Sequence, residues 1–207
     1  MLFLMCKKSK ILCANNQILR GNNYSLVSPS QLDQQWFENI HEANLQKVKL
    51  LYVGRIKIEK GVFSLLSLYK KINLNLPHSL TLVGQGHKIK KLPNNTNMLK
   101  PITKINDLIK IYDCHNITIL PSFTEGHPQV LLESLARMRP IIIFDEINFV
   151  KKNYQGVFVT KRSSDYLEKT IKDIVENYQV ILKLMKKNTL PSKEMFIKEL
   201  TEALADV

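Results

Sequence analysis

Two glutamates are the residues of this chain best placed for chemistry. Glu125 and Glu133 have seven residues between them, in the run Pro121-Ser122-Phe123-Thr124-Glu125-Gly126-His127-Pro128-Gln129-Val130-Leu131-Leu132-Glu133-Ser134-Leu135-Ala136. An apolar strand, Ile117 to Leu120, runs into a turn that carries Glu125. A helix opens at Gly126 to Pro128, and Glu133 sits inside it. A carboxylate just before a helix can accept hydrogen bonds from hydroxyls. The unpaired N–H groups of the first turn can meet a phosphate or a sugar hydroxyl. His127, at the helix start, is either a ligand contact or a surface residue. A plainer account competes. Gln129, Glu133 and Arg137 fall at i, i+4 and i+8, which suits a solvated stripe with a Glu133–Arg137 ion pair and with Leu131, Leu132, Leu135 and Ala136 on the core side. Spacing alone favours that plainer account. An acid/base pair of a glycoside hydrolase is set aside. Such carboxylates face one bond across a cleft roughly 5–9 Å wide, and here both lie on one turn-helix unit.

Two other loops carry suitable residues. Gly54-Arg55-Ile56-Lys57-Ile58-Glu59-Lys60-Gly61 puts Arg55 and Lys60 between a strand and a helix. Two cations beside helix-terminal N–H groups make a cradle for a phosphate or diphosphate. They also fit two ordinary surface residues of a basic chain. Gly84-Gln85-Gly86 can let a backbone approach a ligand, although a GxG without a third glycine also suits an ordinary turn.

The elements that must position these loops alternate regularly from residue 48. Strands are expected at Val48–Val53, Ser79–Val83, Asn97–Leu99, Ile117–Leu120, Pro140–Phe144 and Gly156–Thr160. Helices are expected at Gly61–Ile72, Asn106–Tyr112 (capped by Thr103 or Asn106), Pro128–Met138, Ser164–Tyr178 and Ser192–Leu204, the last capped by Ser192. The nearly unbroken isoleucine of Pro140 to Phe144 suggests burial on both faces. Strand–helix alternation with buried strands gives an α/β fold, a Rossmann-like doubly wound parallel sheet. Such sheets bind ligands at the carboxyl ends of their strands. Residues 1–47 read as a lead-in or linker, with turn signals at Asn15-Asn16, Gly21-Asn22-Asn23 and Ser28-Pro29-Ser30. One helix is expected there from Ser30 to Ile40, with Trp36, Phe37 and Ile40 as its apolar face. Residues 48–180 form the sheet domain and 181–207 a C-terminal helical segment.

At 207 residues and 44% hydrophobic, the chain can bury the core of one domain. No apolar run reaches the roughly 18 residues of a membrane span. Met1 to Met5 precede Lys7, Lys8 and Lys10, the reverse of a secretory signal. Cys6, Cys13 and Cys114 are scattered, with no metal-ligand spacing, so a reducing cytoplasm is expected. The net charge of +12 can attract nucleic acid, an anionic membrane or a phosphorylated substrate. The lysines are spread along the chain and not interleaved with aromatics, so nucleic acid is not an expected partner.

Together these loops resemble the C-terminal, donor-binding domain of retaining GT-B glycosyltransferases, the large glycosyltransferase family 4 (glycosyl transferases group 1). Leu51-Tyr52-Val53-Gly54-Arg55-Ile56-Lys57-Ile58-Glu59-Lys60-Gly61 is similar to that family's V-G-R-x-x-x-E-K-G signature, and Leu82-Val83-Gly84-Gln85-Gly86 to its V-G-x-G turn. Pro121-Ser122 with Glu125 to Glu133 matches its P-S-x-x-E-G-x-P and E-x7-E motif. Arg139-Pro140-Ile141-Ile142 falls where the family has G-x-P-V-V. There Ala136-Arg137-Met138-Arg139 replaces the usual small residue and glycine, which puts a bulky cation in a tight turn.

The resemblance implies roles. Arg55 and Lys60 bind the diphosphate of a nucleotide sugar, with Gly54 and Gly84 beside it. Glu125 and the backbone of Gly126, His127 and Pro128 hold the donor sugar. Glu133 binds the ribose, backbone near Lys100 to Ile102 touches the base, and Val130 and Leu131 lie near the diphosphate. Arg55, Lys60 and Glu125 carry the catalytic role: the two cations, with the helix N-terminus, meet charge that grows on the leaving diphosphate, and Glu125 holds the donor sugar. No cofactor or metal is implied, and no DxD-like motif is present. The acceptor site belongs to a second Rossmann-like domain, which 47 residues cannot hold. The expected partners are a nucleotide-sugar donor, an acceptor, a subunit carrying the other domain and, peripherally, the anionic inner face of a membrane. A non-catalytic scaffold module derived from half an enzyme is the alternative reading.

Overall fold

The computed structural model describes residues 11–14 and 24–205. The turn signals at Asn15-Asn16 and Gly21-Asn22-Asn23, together with Cys6 and Met1 to Met5, lie outside the described residues.

Six parallel strands form the central sheet: β3 (Val48–Val53), β4 (His78–Val83), β5 (Thr96–Leu99), β6 (Ile117–Leu120), β7 (Ile141–Phe144) and β8 (Val157–Thr160). Their spatial order is β5-β4-β3-β6-β7-β8. Two short strands, β1 (Ile11–Cys13) and β2 (Tyr24–Leu26), pair separately and in parallel. All four residues of β6 and all four of β7 are buried. A sheet covered by helices on both faces explains their unbroken apolar runs. The helices are α1 (Val62–Tyr69), α2 (Ile105–Asp113), α3 (Gln129–Ala136), α4 (Ser164–Glu176), α5 (Tyr178–Met185) and α6 (Lys193–Ala205). The strand order reverses between β3 and β6, and the crevice beyond the carboxyl ends of strands at such a point is where these sheets take ligands. The two loops leaving β3 and β6 are the ones that carry Arg55, Lys60 and Glu125.

Several expectations need correction. Ser30 to Ile40 is not one helix but a single 3-10 turn, Gln34–Phe37, capped by Asp33, whose side chain accepts from Gln35 N–H. Of its expected apolar face only Trp36 is buried, while Phe37 and Ile40 are exposed. Lys104, not Thr103 or Asn106, is the N-cap of α2 and makes no side-chain capping bond. The helix expected from Ser164 to Tyr178 breaks at Asn177, and α5 follows as a separate element. Ser192 does cap α6, accepting from Met195 N–H at 3.1 Å.

Helix α3 ends in a Schellman motif. Arg139 N–H bonds the Ser134 carbonyl and Met138 N–H the Leu135 carbonyl. Met138 takes the left-handed position, φ 54°, that glycine usually fills. The bulky cations of this turn do not crowd it. The Arg137 and Arg139 side chains leave the turn and are buried elsewhere.

Candidate functional site

The β3 and β6 loops are drawn together by their backbones. Gly61, with φ 66°, has no room for a side chain, because a Cβ there would overlap the Pro121 carbonyl oxygen. Phe123 N–H donates to the Glu59 carbonyl at 3.0 Å. The GxG turn lies beneath: Ile56 N–H bonds the Gln85 carbonyl at 2.8 Å, and a Cβ on Gly84 would overlap the Gly54 carbonyl oxygen. Its close backbone approach is therefore to Gly54 of the neighbouring loop. Tyr52 hydroxyl donates to the Arg55 carbonyl at 2.6 Å and fixes the bend. Burial first, and then the Glu125 charge, push the Tyr52 phenol well above its ordinary range, so it remains a donor.

Lys60 and Glu125 meet at 2.6 Å, Nζ to Oε1, and the Ser122 hydroxyl donates to the same oxygen at 2.6 Å. The lysine proposed for a diphosphate and the carboxylate proposed for a sugar thus contact each other. The Glu125 side chain is 9% exposed and the Lys60 side chain 22%, so both still reach the mouth of the site. Glu125 Oε2 has no hydrogen bond among the described residues. Arg55 stands exposed, with no ion pair or hydrogen bond to its guanidinium among the described residues.

Helix α3 begins at the same mouth. Its N-cap, Pro128, provides no side-chain capping bond, which leaves first-turn N–H groups available. Gly126 is exposed, with open space where a Cβ would stand. His127 is half-buried, and its Nε2 has no hydrogen-bond partner beside a cavity of about 20 Å³ shared with Gly126, Pro128 and Lys152. Burial foremost, then Lys152, lower its pKa against an opposing bond to the Pro29 carbonyl. Val130 is partly buried, whereas Leu131 points into the core, so only its backbone can reach a ligand. Ile102 lies in the loop after β5, packed against the core.

Glu133 has a different setting. The Tyr112 hydroxyl donates to its Oε2 at 2.7 Å. Burial raises the Glu133 pKa above its ordinary value, and the Tyr112 bond opposes that rise. The expected Glu133–Arg137 ion pair is absent. Arg137 is fully buried and bonds Asp113 through Nε at 2.9 Å and Nη2 at 2.8 Å. Its remaining bonds go to the carbonyls of Trp36, Glu38 and Asn39. The Gln129–Glu133–Arg137 stripe exists, but chain covers it where solvent was expected. A guanidinium's five fixed donors suit a set of carbonyls better than one surface carboxylate does.

Four residues that support this cluster were given no site role of their own by the sequence: Trp36, Tyr112, Ser122 and Arg162. Arg162 follows β8 and lies between the rings of Phe123 and Phe144, 4.1 and 4.3 Å from their centroids. It pairs with Glu146 at 2.7 Å and donates to the Ser122 carbonyl at 3.4 Å, which steadies the loop before Glu125. Its place just beyond a strand's carboxyl end was the available signal. A larger open groove, about 680 Å³, lies between Tyr69, Lys70, His78 and Lys91. It sits at the amino end of β4, away from these loops.

The sheet order and the loops gathered at its reversal define a Rossmann-like domain of the GT-B type. The chain belongs to the glycosyl transferases group 1 family, whose model matches residues 33–190. It is 27% identical over 199 residues to an uncharacterized glycosyltransferase of Haemophilus influenzae, covering 91% of this chain and 54% of the relative. It is 26% identical over 132 residues to the putative teichuronic acid biosynthesis glycosyltransferase TuaC of Bacillus subtilis, covering 58% and 31% respectively. The crystal structure of Anabaena HepE in complex with UDP-glucose superposes with a TM-score of 0.69 at 12% identity, over 99% of this chain and 65% of that one. The chain thus spans about half the length of the Haemophilus relative. Among the described residues no helix is long and apolar enough to cross a membrane.

Proposed function

We propose that this chain is the donor-binding domain of a retaining hexosyltransferase of glycosyltransferase family 4, acting on a nucleoside-diphosphate sugar. The observation that carries the reading is the meeting of Lys60, Glu125 and Ser122 across the β3 and β6 loops, with Arg55 unpaired beside them. In this account Arg55 and Lys60 hold the donor diphosphate, and the α3 N-terminus adds its unpaired N–H groups. The second oxygen of Glu125 accepts from a donor-sugar hydroxyl. Glu133 accepts from the ribose, and backbone near Ile102 lies along the base.

In the reaction so proposed, the bond from the anomeric carbon to the diphosphate oxygen breaks and its electron pair stays on the diphosphate. The acceptor hydroxyl forms the new glycosidic bond, and its proton passes to the departing diphosphate. Charge therefore grows on the diphosphate, where fixed donors in a sheltered site are worth about 10²–10³ in rate each. Arg55, Lys60 and the helix supply that stabilisation without a metal. The described residues build one sheet domain, so we place acceptor binding on a second Rossmann-like domain, in the same polypeptide or a partner subunit.

Calorimetric titration of the full chain with uridine, guanosine and adenosine diphosphates and their hexose conjugates tests this. Millimolar or tighter binding of one of them, weakened about ten- to a hundredfold in Arg55→Ala, is expected. No binding of any would sink the reading. A stable protein complex insensitive to nucleotide would point to a scaffold module.

A further inference from the structure

Segment 29–41 lies along one face of α3 as a strap, and three side chains of the α3 unit hold it. Gln129 donates to the Pro29 carbonyl at 3.1 Å and accepts from Gln31 N–H at 3.0 Å. Arg137 donates to the carbonyls of Trp36, Glu38 and Asn39, and Arg139 to that of His41 at 2.9 Å. Both guanidiniums are 1% exposed and share Asp113 at the end of α2. At the centre of this strap the Trp36 ring meets Tyr112 edge-on, with centroids 5.7 Å apart. Tyr112 is fully buried, and its hydroxyl ends on Glu133. A chain of direct contacts therefore runs from the strap through Trp36 and Tyr112 to the carboxylate.

We infer that the strap is a positioning device for Glu133: the Arg137 clamp seats Trp36 on Tyr112, and Tyr112 aims the carboxylate at the ribose hydroxyls of the ligand. The inference rests on the donor-domain reading above and adds three positioning residues to it, Trp36, Tyr112 and Arg137. The physical reason is rotamer freedom. A glutamate has three rotatable side-chain bonds, and a carboxylate presented to a ligand gains from a neighbour that fixes its plane. Tyr112 fixes one oxygen of Glu133 and leaves the other available. Tyr112 has little freedom of its own, because it is fully buried in the core with Trp36 edge-on against its ring. Trp36 is held through its own backbone carbonyl, so its position follows the strap.

Trp36 is the only tryptophan of the chain, which makes the device observable without a mutation. Titration of the unaltered protein with uridine diphosphate, or with whichever nucleoside diphosphate binds, is expected to shift Trp36 emission. The 2′,3′-dideoxy form of the same nucleotide is expected to bind more weakly and leave the emission unchanged. Affinities of both ligands for Tyr112→Phe and Arg137→Lys complete a cycle. If Tyr112 acts through Glu133 on the ribose, Tyr112→Phe lowers affinity for the full nucleotide about five- to tenfold and for the dideoxy form hardly at all. Arg137→Lys keeps the charge but loses the carbonyl set, and is expected to move the same ratio in the same direction. A purely structural strap would lower the melting temperature of both variants and leave the ratio of the two affinities at its wild-type value. That result, or an emission that responds equally to both ligands, overturns the inference alone. Failure of the unaltered protein to bind any nucleoside diphosphate overturns the donor-domain reading and the inference with it.

Discussion

Lys60–Glu125 and Arg137–Asp113 are ion pairs of nearly equal length, 2.6 and 2.8 Å, yet they stand in opposite settings. In the first, a lysine with three donors has one partner among the described residues and the carboxylate keeps an oxygen open at the mouth of a crevice. In the second, the guanidinium bonds two carboxylate oxygens and three carbonyls, with no donor direction left for a ligand. On the donor-domain reading, what separates the proposed binding pair from the structural pair is unused hydrogen-bonding capacity, not distance or burial alone. Fully satisfied buried polar networks rigidify; partly satisfied ones at a cleft await a partner.

Removing a partner should expose that difference. Asp113→Ala leaves two buried guanidiniums without their carboxylate, and urea unfolding is expected to show a loss of about 3 kcal/mol or more. At the other pair the change should fall on binding. Arg55→Ala and Lys60→Ala are each expected to weaken nucleoside-diphosphate binding about ten- to a hundredfold. Arg55→Ala should leave stability within about 0.5 kcal/mol, because Arg55 is exposed and unpaired. Equal effects of the two kinds of variant on both readouts would erase the distinction.

Glu133 sharpens the comparison through pH. Its folded pKa is raised by burial, so the ionised form is disfavoured in the fold relative to the unfolded chain. The resulting destabilisation is absent below the unfolded value, grows as pH rises towards the folded one, and is complete above it. Glu133→Gln keeps an acceptor for Tyr112 and removes the charge. Thermal melts should show the variant more stable than wild type at neutral pH, with the advantage gone below roughly pH 4, while nucleotide affinity falls. A variant less stable at every pH would mean that Glu133 is structural, like Asp113. The smallest effect is expected at Met138, whose left-handed backbone (φ 54°) is unfavourable for a side chain. Relief of that strain and loss of the half-buried Met138 side chain's packing against the core oppose each other, so Met138→Gly should change stability by less than about 1 kcal/mol with binding unchanged.

The sheet was readable because its central strands are local signals. Ile141 to Phe144 shows burial on both faces with no help from the rest of the chain, and the loop motifs follow from strand ends. The Gln129–Glu133–Arg137 stripe was readable as a face but not as an interface. Its partners lie about 100 positions away, as the separations of 98 to 101 between Arg137 and the strap carbonyls show. No periodicity reports such a contact. The same cause explains the missing helix at Ser30 to Ile40, where the carbonyls of Trp36, Glu38 and Asn39, turned towards Arg137, compete with helix formation. It also explains why Tyr112, an ordinary core-facing residue of α2 by pattern, was not seen as the partner of Glu133.

The most direct test of donor binding at the β3–β6 switch point is an amide chemical-shift map of the full chain during titration with a nucleoside diphosphate. The account predicts perturbations concentrated at Gly54 to Gly61, Ile102 and Gly126 to Glu133, with Tyr69, Lys70 and Lys91 at the opposite groove unmoved. Perturbations centred on that groove, or none at the β3 and β6 loops, would contradict it.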